Sequence, residues 1–272
     1  MRQYIANNFP NKKGILEIMG KDYKYMSNVL RLKKDVFLEV RLPDGKIVKM
    51  IVQSITASVL TLALMDSDVH EKSHSVKVYE TGVVASSIDA EFAKSPEIWL
   101  LQFLPKSQTF DTVIRHAVEC GVSHILPVMG NYSKNIGNAD SRKERWQRIV
   151  KEARQQSGSP VDTKVHSCLS LDDALKLWNE AKTENSLSCL LYEKIQEKKF
   201  SVFQVKNKPK QIIIAVGAEG GVSDSEVEKL LQNDFEILHF NTNVMRVDTA
   251  CLYGLAVLQH AFTEFDLWQK CE

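Results

Sequence analysis

The chain lacks any C-x-x-C pair: its five cysteines stand singly at 120, 168, 189, 251 and 271. An odd number at irregular spacing argues against a disulfide framework, offers no zinc pattern, and fits a reducing compartment. Long apolar runs are also missing, and none approaches the roughly 20 residues that cross a bilayer. The opening segment, MRQYIANNFPNKK, has no apolar core of the signal-peptide kind. The expectation is a cytoplasmic protein with no membrane span and no metal centre. Low-complexity tracts and internal repeats are absent. One further absence bears on chemistry. The glycine-rich turn at 217–221 has neither the terminal lysine of a triphosphate-binding loop nor the G-x-G-x-x-G spacing of a dinucleotide site.

What is present is an ordinary globular composition: 272 residues, 44% hydrophobic and 25% charged. At roughly 100–200 residues per domain, two domains are the natural reading. The net charge of +1 conceals an uneven distribution. Residues 1–50 carry eleven Lys/Arg against five Asp/Glu, a balance of +6, and residues 141–156 carry six against two, or +4. Residues 217–272 carry three against ten, or −7. A single basic cluster is usually a solvated face, but two in one chain point toward a polyanionic partner.

The first seventy residues read as strands. VFLEVRLPDGKIVKMIVQSITASVLTLAL alternates in character, with a turn at Pro43-Asp44-Gly45. This predicts a small β-barrel or sheet module over 1–72. From 73 onward short apolar strands alternate with helices: strands at 98–104, 124–128, 187–192 and 211–216, with amphipathic stretches between. Gly121 and Gly158 stand where helices should end. Continuous apolar strands separated by helices predict a parallel sheet covered on both faces.

The segment IIIAVGAEGGVSDSEVEKLL (212–231) holds the main chemical signal. Ser223 and Glu226 form an S-x-x-E capping box, so a helix begins there. The glycines before it let backbone approach a ligand, which suits a flat adenine edge. Glu219 would repel phosphate and favour a cationic centre. An adenine with a positive reactive atom describes S-adenosyl-L-methionine; the plain alternative is a tight strand-to-helix turn.

GAEGGVSDSE resembles the G-P-E-G-G-[FL]-[ST]-x-x-E signature of the RsmE family, ribosomal RNA uridine-N3 methyltransferases of the SPOUT superfamily. The resemblance continues in NVLRLKKDV, similar to a segment of that family's PUA-like domain. It is found again in LLQFLPKSQTFDTVIRHAVECGVSHILPV, ERWQRIVKEARQQSG and VMRVDTA. Departures from the family pattern are Ala218 for proline, His116 for lysine, Cys120 for leucine and Ser159 for arginine. Asn241-Thr242-Asn243 replaces Gly-Pro-Arg, and Asp248 replaces glutamate.

The resemblance implies a PUA-like β-barrel over 1–72 and a SPOUT α/β domain over 73–272 whose C-terminal segment forms a trefoil knot. It implies a homodimer that methylates N3 of a uridine in 16S ribosomal RNA, a small-subunit component, using S-adenosyl-L-methionine. Carried over by position, the cofactor wall comprises Leu191, Tyr192, Val216, Gly217, Glu219, Gly220, Gly221, Val222, Phe240, Asn241, Val244 and Met245. Arg246 would hold the substrate or stabilise negative charge, or else pair with Asp248. Glu219 would lie near the sulfonium or tie the loop down. RNA phosphates would meet Arg31, Lys33, Lys34, Arg142, Lys143, Arg145 and Arg154, with Arg148 beside them; Trp146 reads as core. Two other readings stay open: action on another RNA, or a catalytically weak assembly factor that kept the fold.

Overall fold

The computed structural model describes residues 3–65, 95–133, 139–194 and 208–264. The boundary expected after residue 72 lies outside them. Contacts divide the chain into two compact units, Met1–Ala85 with Gln155–Gly158, and Ser86–Arg154 with Ser159–Glu272.

In the first unit the alternating pattern produces β1 (Tyr4–Ile5), β2 (Ile15–Met19), β3 (Phe37–Arg41), β4 (Ile47–Ile55) and β5 (Val59–Leu64), ordered β1-β3-β4-β5-β2. Period-two alternation sends Leu16, Ile18, Val40, Met50, Val52, Leu60 and Leu62 to one buried face. The β3–β4 turn falls on Pro43-Asp44-Gly45. Gly45, at φ +87°, donates its N–H to Leu42 O at 2.9 Å, and Asp44 accepts from Lys46 N at 3.1 Å. One element departs from the all-strand expectation. Helix α1 (Gly20–Lys24) runs into a wide helical turn at Tyr25–Val29, and Met26, 1% exposed, plugs the sheet's core. Ten residues with one buried side chain are too few for a helical period to stand out.

Among the described residues, the second unit holds a six-stranded sheet, every pairing parallel, ordered β11-β9-β10-β6-β7-β8. Its strands are β6 (Glu97–Phe103), β7 (Val122–Val128), β8 (Lys164–Val165), β9 (Ser186–Leu191), β10 (Gln211–Val216) and β11 (Glu236–Leu238). The described helices are α2 (Ser107–Glu119), α3 (Ala139–Ser157), α4 (Leu171–Ala181), α5 (Asp224–Leu231) and α6 (Val247–Gln259). Gly121 (φ +69°) and Gly158 (φ +80°) follow α2 and α3, where the sequence places helix ends.

Alternation along β6 shows why both faces are apolar. Ile98 and Leu100 join the cluster containing Phe110, Ile114, Trp146, Ile149, Cys251 and Leu255, from α2, α3 and α6. Trp99, Leu101 and Phe103 join Leu175, Trp178, Val227 and Leu230, from α4 and α5. Trp146 is core, 3% exposed and edge-on to Phe110 with centroids 5.0 Å apart. Trp178 is fully buried and donates its indole N–H to Ser188 Oγ at 3.0 Å. Truncating a ring of this kind to alanine costs about 3–5 kcal/mol. Because β11 pairs with β9 rather than β10, the C-terminal ends of β9, β10 and β11 lie side by side. Crevices at such ends are where open α/β sheets bind ligands.

Candidate active site

The site grows from the end of β10. Val216 is buried, and beyond it the chain doubles back so that Gly221 N donates to Ala218 O at 2.9 Å. A Cβ on Gly217 would stand 2.8 Å from the Gly221 backbone, and one on Gly220 2.9 Å from Tyr132 Cβ. Glycine is therefore required twice by close approach. The turn leaves Gly220 exposed and Gly217 and Gly221 half-exposed. Apart from the exposed Glu219 side chain, its outer surface is main chain.

Three carboxylates surround this loop. Glu219 Oε1 accepts the N–H of Lys106, the residue capping the start of α2, at 3.0 Å. A carboxylate at a helix N-terminus is also favoured by the helix dipole. Glu219 thus ties the glycine loop to the β6–α2 connection. Glu226 closes the capping box, accepting Ser223 N at 2.9 Å and the Ser223 hydroxyl at 2.6 Å. Its other oxygen accepts Asn131 N at 2.7 Å, while Asn131 Nδ2 donates to Ser223 Oγ at 2.8 Å. Asp224 receives Lys194 Nζ at 2.9 Å, and this pairing holds its carboxyl below the usual carboxylate range.

Three segments meet at this end of the sheet. Tyr192, buried at the end of β9, donates its N–H to Leu238 O at 3.2 Å, and His239 Nδ1 donates to Tyr192 O at 3.0 Å. Tyr192 Oη also lies 3.4 Å from Asp224 Oδ1, so segments 191–194, 216–224 and 238–240 interlock. Leu191 and Val222 are half-buried and buried, and Phe240 packs edge-on to Tyr253 at 4.9 Å. Asn241 and Val244 are exposed, Val244 by 84%, and Met245 is half-buried.

Arg246 occupies the N-cap position of α6 with an exposed side chain, and Asp248 sits in that helix's first turn. Among the described residues no ion pair joins the two. Burial pushes the Cys189 thiol up to about 12 and the Cys251 thiol higher still, so neither supplies a thiolate nucleophile. A cleft of about 160 Å³, lined by Glu97, Ser123, Gln259 and Thr263 among others, lies at the opposite, N-terminal ends of the strands and is separate from this site.

The basic residues divide. Arg31, Lys33 and Lys34 are exposed in the first unit, and Lys143 is exposed on α3. Arg142 Nη1 donates to Ser107 Oγ at 3.2 Å. Arg145 and Arg154, expected among the phosphate contacts, close ion pairs instead, Arg145 with Asp111 and Arg154 with Asp162. Asp111 is only 3% exposed, and a buried carboxylate demands a counter-charge. Arg148 lies 3.9 Å from Glu152, one helical turn on. Sequence reading missed two participants. Asn131 carries no local motif. Gln102, fully buried at the end of β6, donates to Val216 O at 3.1 Å and Gly217 O at 3.0 Å.

Comparison with known proteins bears on this arrangement. The Ribosomal RNA small subunit methyltransferase E of Aquifex aeolicus is 29% identical over 154 residues, a match spanning 56% of this chain and 63% of that relative. The Ribosomal RNA small subunit methyltransferase E 2 of Borreliella burgdorferi is 25% identical over 254 residues, 91% of each chain. The crystal structure of Ribosomal RNA small subunit methyltransferase E from Neisseria gonorrhoeae, solved bound to S-adenosyl methionine, superposes with a TM-score of 0.74 at 19% identity. It covers 97% of this chain and 99% of that one, and the likeness is one of fold. The RNA methyltransferase domain model matches residues 93–259, which include every strand of the parallel sheet and the whole glycine loop. With more than half its length matched, the chain belongs to the RNA methyltransferase domain family.

Proposed function

We propose that this protein is an S-adenosyl-L-methionine-dependent methyltransferase that modifies N3 of a uridine in 16S ribosomal RNA. The observation that carries the reading is the backbone that Gly217, Gly220 and Gly221 leave accessible, set among the ends of β9, β10 and β11. That surface fits the cofactor. Exposed glycine backbone offers hydrogen-bonding edges to an adenine without side chains in the way. Leu191, Tyr192, Val222, Phe240 and Met245 supply apolar flanks, and no P-loop lysine is present to hold a triphosphate. When bound, S-adenosyl-L-methionine supplies an electrophilic methyl group.

The chain's own residues do the rest. The loop, fastened through Glu219 and Glu226, orients the donor. Arg246 holds the uracil ring and stabilises negative charge on its carbonyls as the N3 proton leaves. Asp248, in the first turn of α6, supports that end of the site. Arg31, Lys33, Lys34, Arg142 and Lys143 receive phosphates. The segments after β9, β10 and β11 form the trefoil knot of the SPOUT fold, residues 1–72 form a PUA-like RNA-binding module, and two copies complete the site in the cytoplasm.

Two measurements test this. Calorimetry should show binding of S-adenosyl-L-methionine and no binding of ATP; the reverse result would end the proposal. Nucleoside mass spectrometry of ribosomal RNA, with and without the gene, should show one N3-methyluridine lost from the small subunit. Unchanged rRNA alongside donor binding would favour an enzyme for another RNA. Absence of donor binding would favour an assembly factor, the reading that Asn241-Thr242-Asn243 and Asp248 keep open.

A further inference from the structure

The glycine loop needs an external template. Gly217, Gly220 and Gly221 carry no side chains to fix their backbone, and glycine has more conformational freedom to lose than any other residue. Two fasteners are already evident, Lys106 N–H on Glu219 and Asn131 N–H on Glu226. Neither acts at the point where β10 becomes loop.

Gln102 acts there. It is 0% exposed and sits in register with Val216 on the neighbouring strand. Its Nε2 lies 3.0 Å from Gly217 O, 3.1 Å from Val216 O and 2.9 Å from Phe103 O. Three carbonyl oxygens around one atom require a donor, which fixes the amide's orientation. The other end, Oε1, is buried without a hydrogen-bond partner among the described residues. A buried, unpaired acceptor is costly, and an apolar side chain of the same size would avoid that cost. The NH2 is the reason for an amide at this position.

We propose that Gln102 is a positioning residue of the methyl-donor pocket. Its carboxamide clips the last carbonyl of β10 and the first of the loop, and so sets the direction in which the loop presents its main chain to the donor. The inference rests on the donor-binding reading above.

The test compares the wild type with Gln102→Met and Gln102→Glu. S-adenosylhomocysteine affinity is measured by calorimetry between pH 5.5 and 8.5, and melting temperature without ligand at each pH. Gln102→Met should bind about tenfold or more weakly, the scale of one lost hydrogen bond near 1.4 kcal/mol. Gln102→Glu should bind worst at high pH, where a carboxylate would face three carbonyl oxygens. It should recover as pH falls, because a protonated carboxyl donates one hydrogen bond in the same place. Taking the ratio to wild type at each pH removes every pH effect that the variants share with it.

Affinity within twofold of wild type in both variants would overturn the inference. So would a loss of affinity that follows melting temperature with no recovery in Gln102→Glu, since Gln102 would then serve the framework alone. Failure of the wild type to bind S-adenosylhomocysteine would instead overturn the donor reading, and this inference with it.

Discussion

At the scale of single residues the charged side chains separate by what faces them. Arg145 is drawn to the buried Asp111 and Arg154 to Asp162, whereas Arg246 caps α6 with its side chain in solvent. That freedom suits a residue awaiting substrate. Arg246→Lys keeps the charge but loses the planar fork that makes paired hydrogen bonds. Single-turnover rates should fall by roughly 10²-fold or more, while donor affinity and melting temperature stay near wild type. If Arg246 served the fold through Asp248, Arg246→Lys and Asp248→Asn would lower all three quantities together. Full activity in Arg246→Lys would remove the residue from the mechanism.

At the scale of elements, two clusters lead to measurements. Lys33 and Lys34 of the first unit, with Arg142 and Lys143 of α3, are the basic side chains proposed to meet RNA. Neutralising all four should weaken RNA binding and reduce the slope of log affinity against log salt by a few units; an unchanged slope would mark them as solvated surface. The second cluster joins β7 to the strand after it. His124 Nδ1 and His166 Nε2 lie 2.9 Å apart, and His124 stacks on Trp99 with centroids 3.9 Å apart. Burial, then the neighbouring His124 and Lys164, lowers His166 to about 4, and burial lowers His124 as well. The folded state therefore favours the neutral imidazole, while the unfolded chain takes up its proton near pH 6.5. The stability these histidines contribute is complete above pH 6.5 and is lost as pH falls from there toward 4. Thermal melts should show this decline, and His166→Asn should make it shallower. An identical pH profile in the variant would sink the assignment.

At the scale of the whole molecule, α6 buries Cys251, Gly254, Leu255 and Leu258 but leaves Leu252 38% and Tyr253 41% exposed, with Val244 bare just before the helix. Exposed large apolar groups in one neighbourhood suit a second copy of the chain. Light scattering at micromolar concentration should report a dimer, and Val244→Glu with Leu252→Glu should shift it toward monomer. A wild-type monomer at high concentration would contradict the shared-site arrangement.

The division of labour between sequence and tertiary structure follows from range. Alternation in 37–64, apolar strands at 98–103 and 211–216, the Ser223–Glu226 capping box and the helix-ending Gly121 and Gly158 are each written within a short window. Local periodicity and backbone chemistry decide them before any packing occurs. The short β8 and β11 and helix α1 escaped because two, three or five residues carry too little pattern. The site's fastening was illegible for another reason. Lys106 meets Glu219 across 113 residues and Asn131 meets Glu226 across 95. Gln102 meets Gly217 across 115. Those partners exist only because strand order brings the ends of β6, β7 and β10 together, and nothing near Gln102 or Asn131 in the chain records it. The same holds for Arg145: sequence determined its charge, while the buried carboxylate that holds it was decided by the packing of α2 against α3.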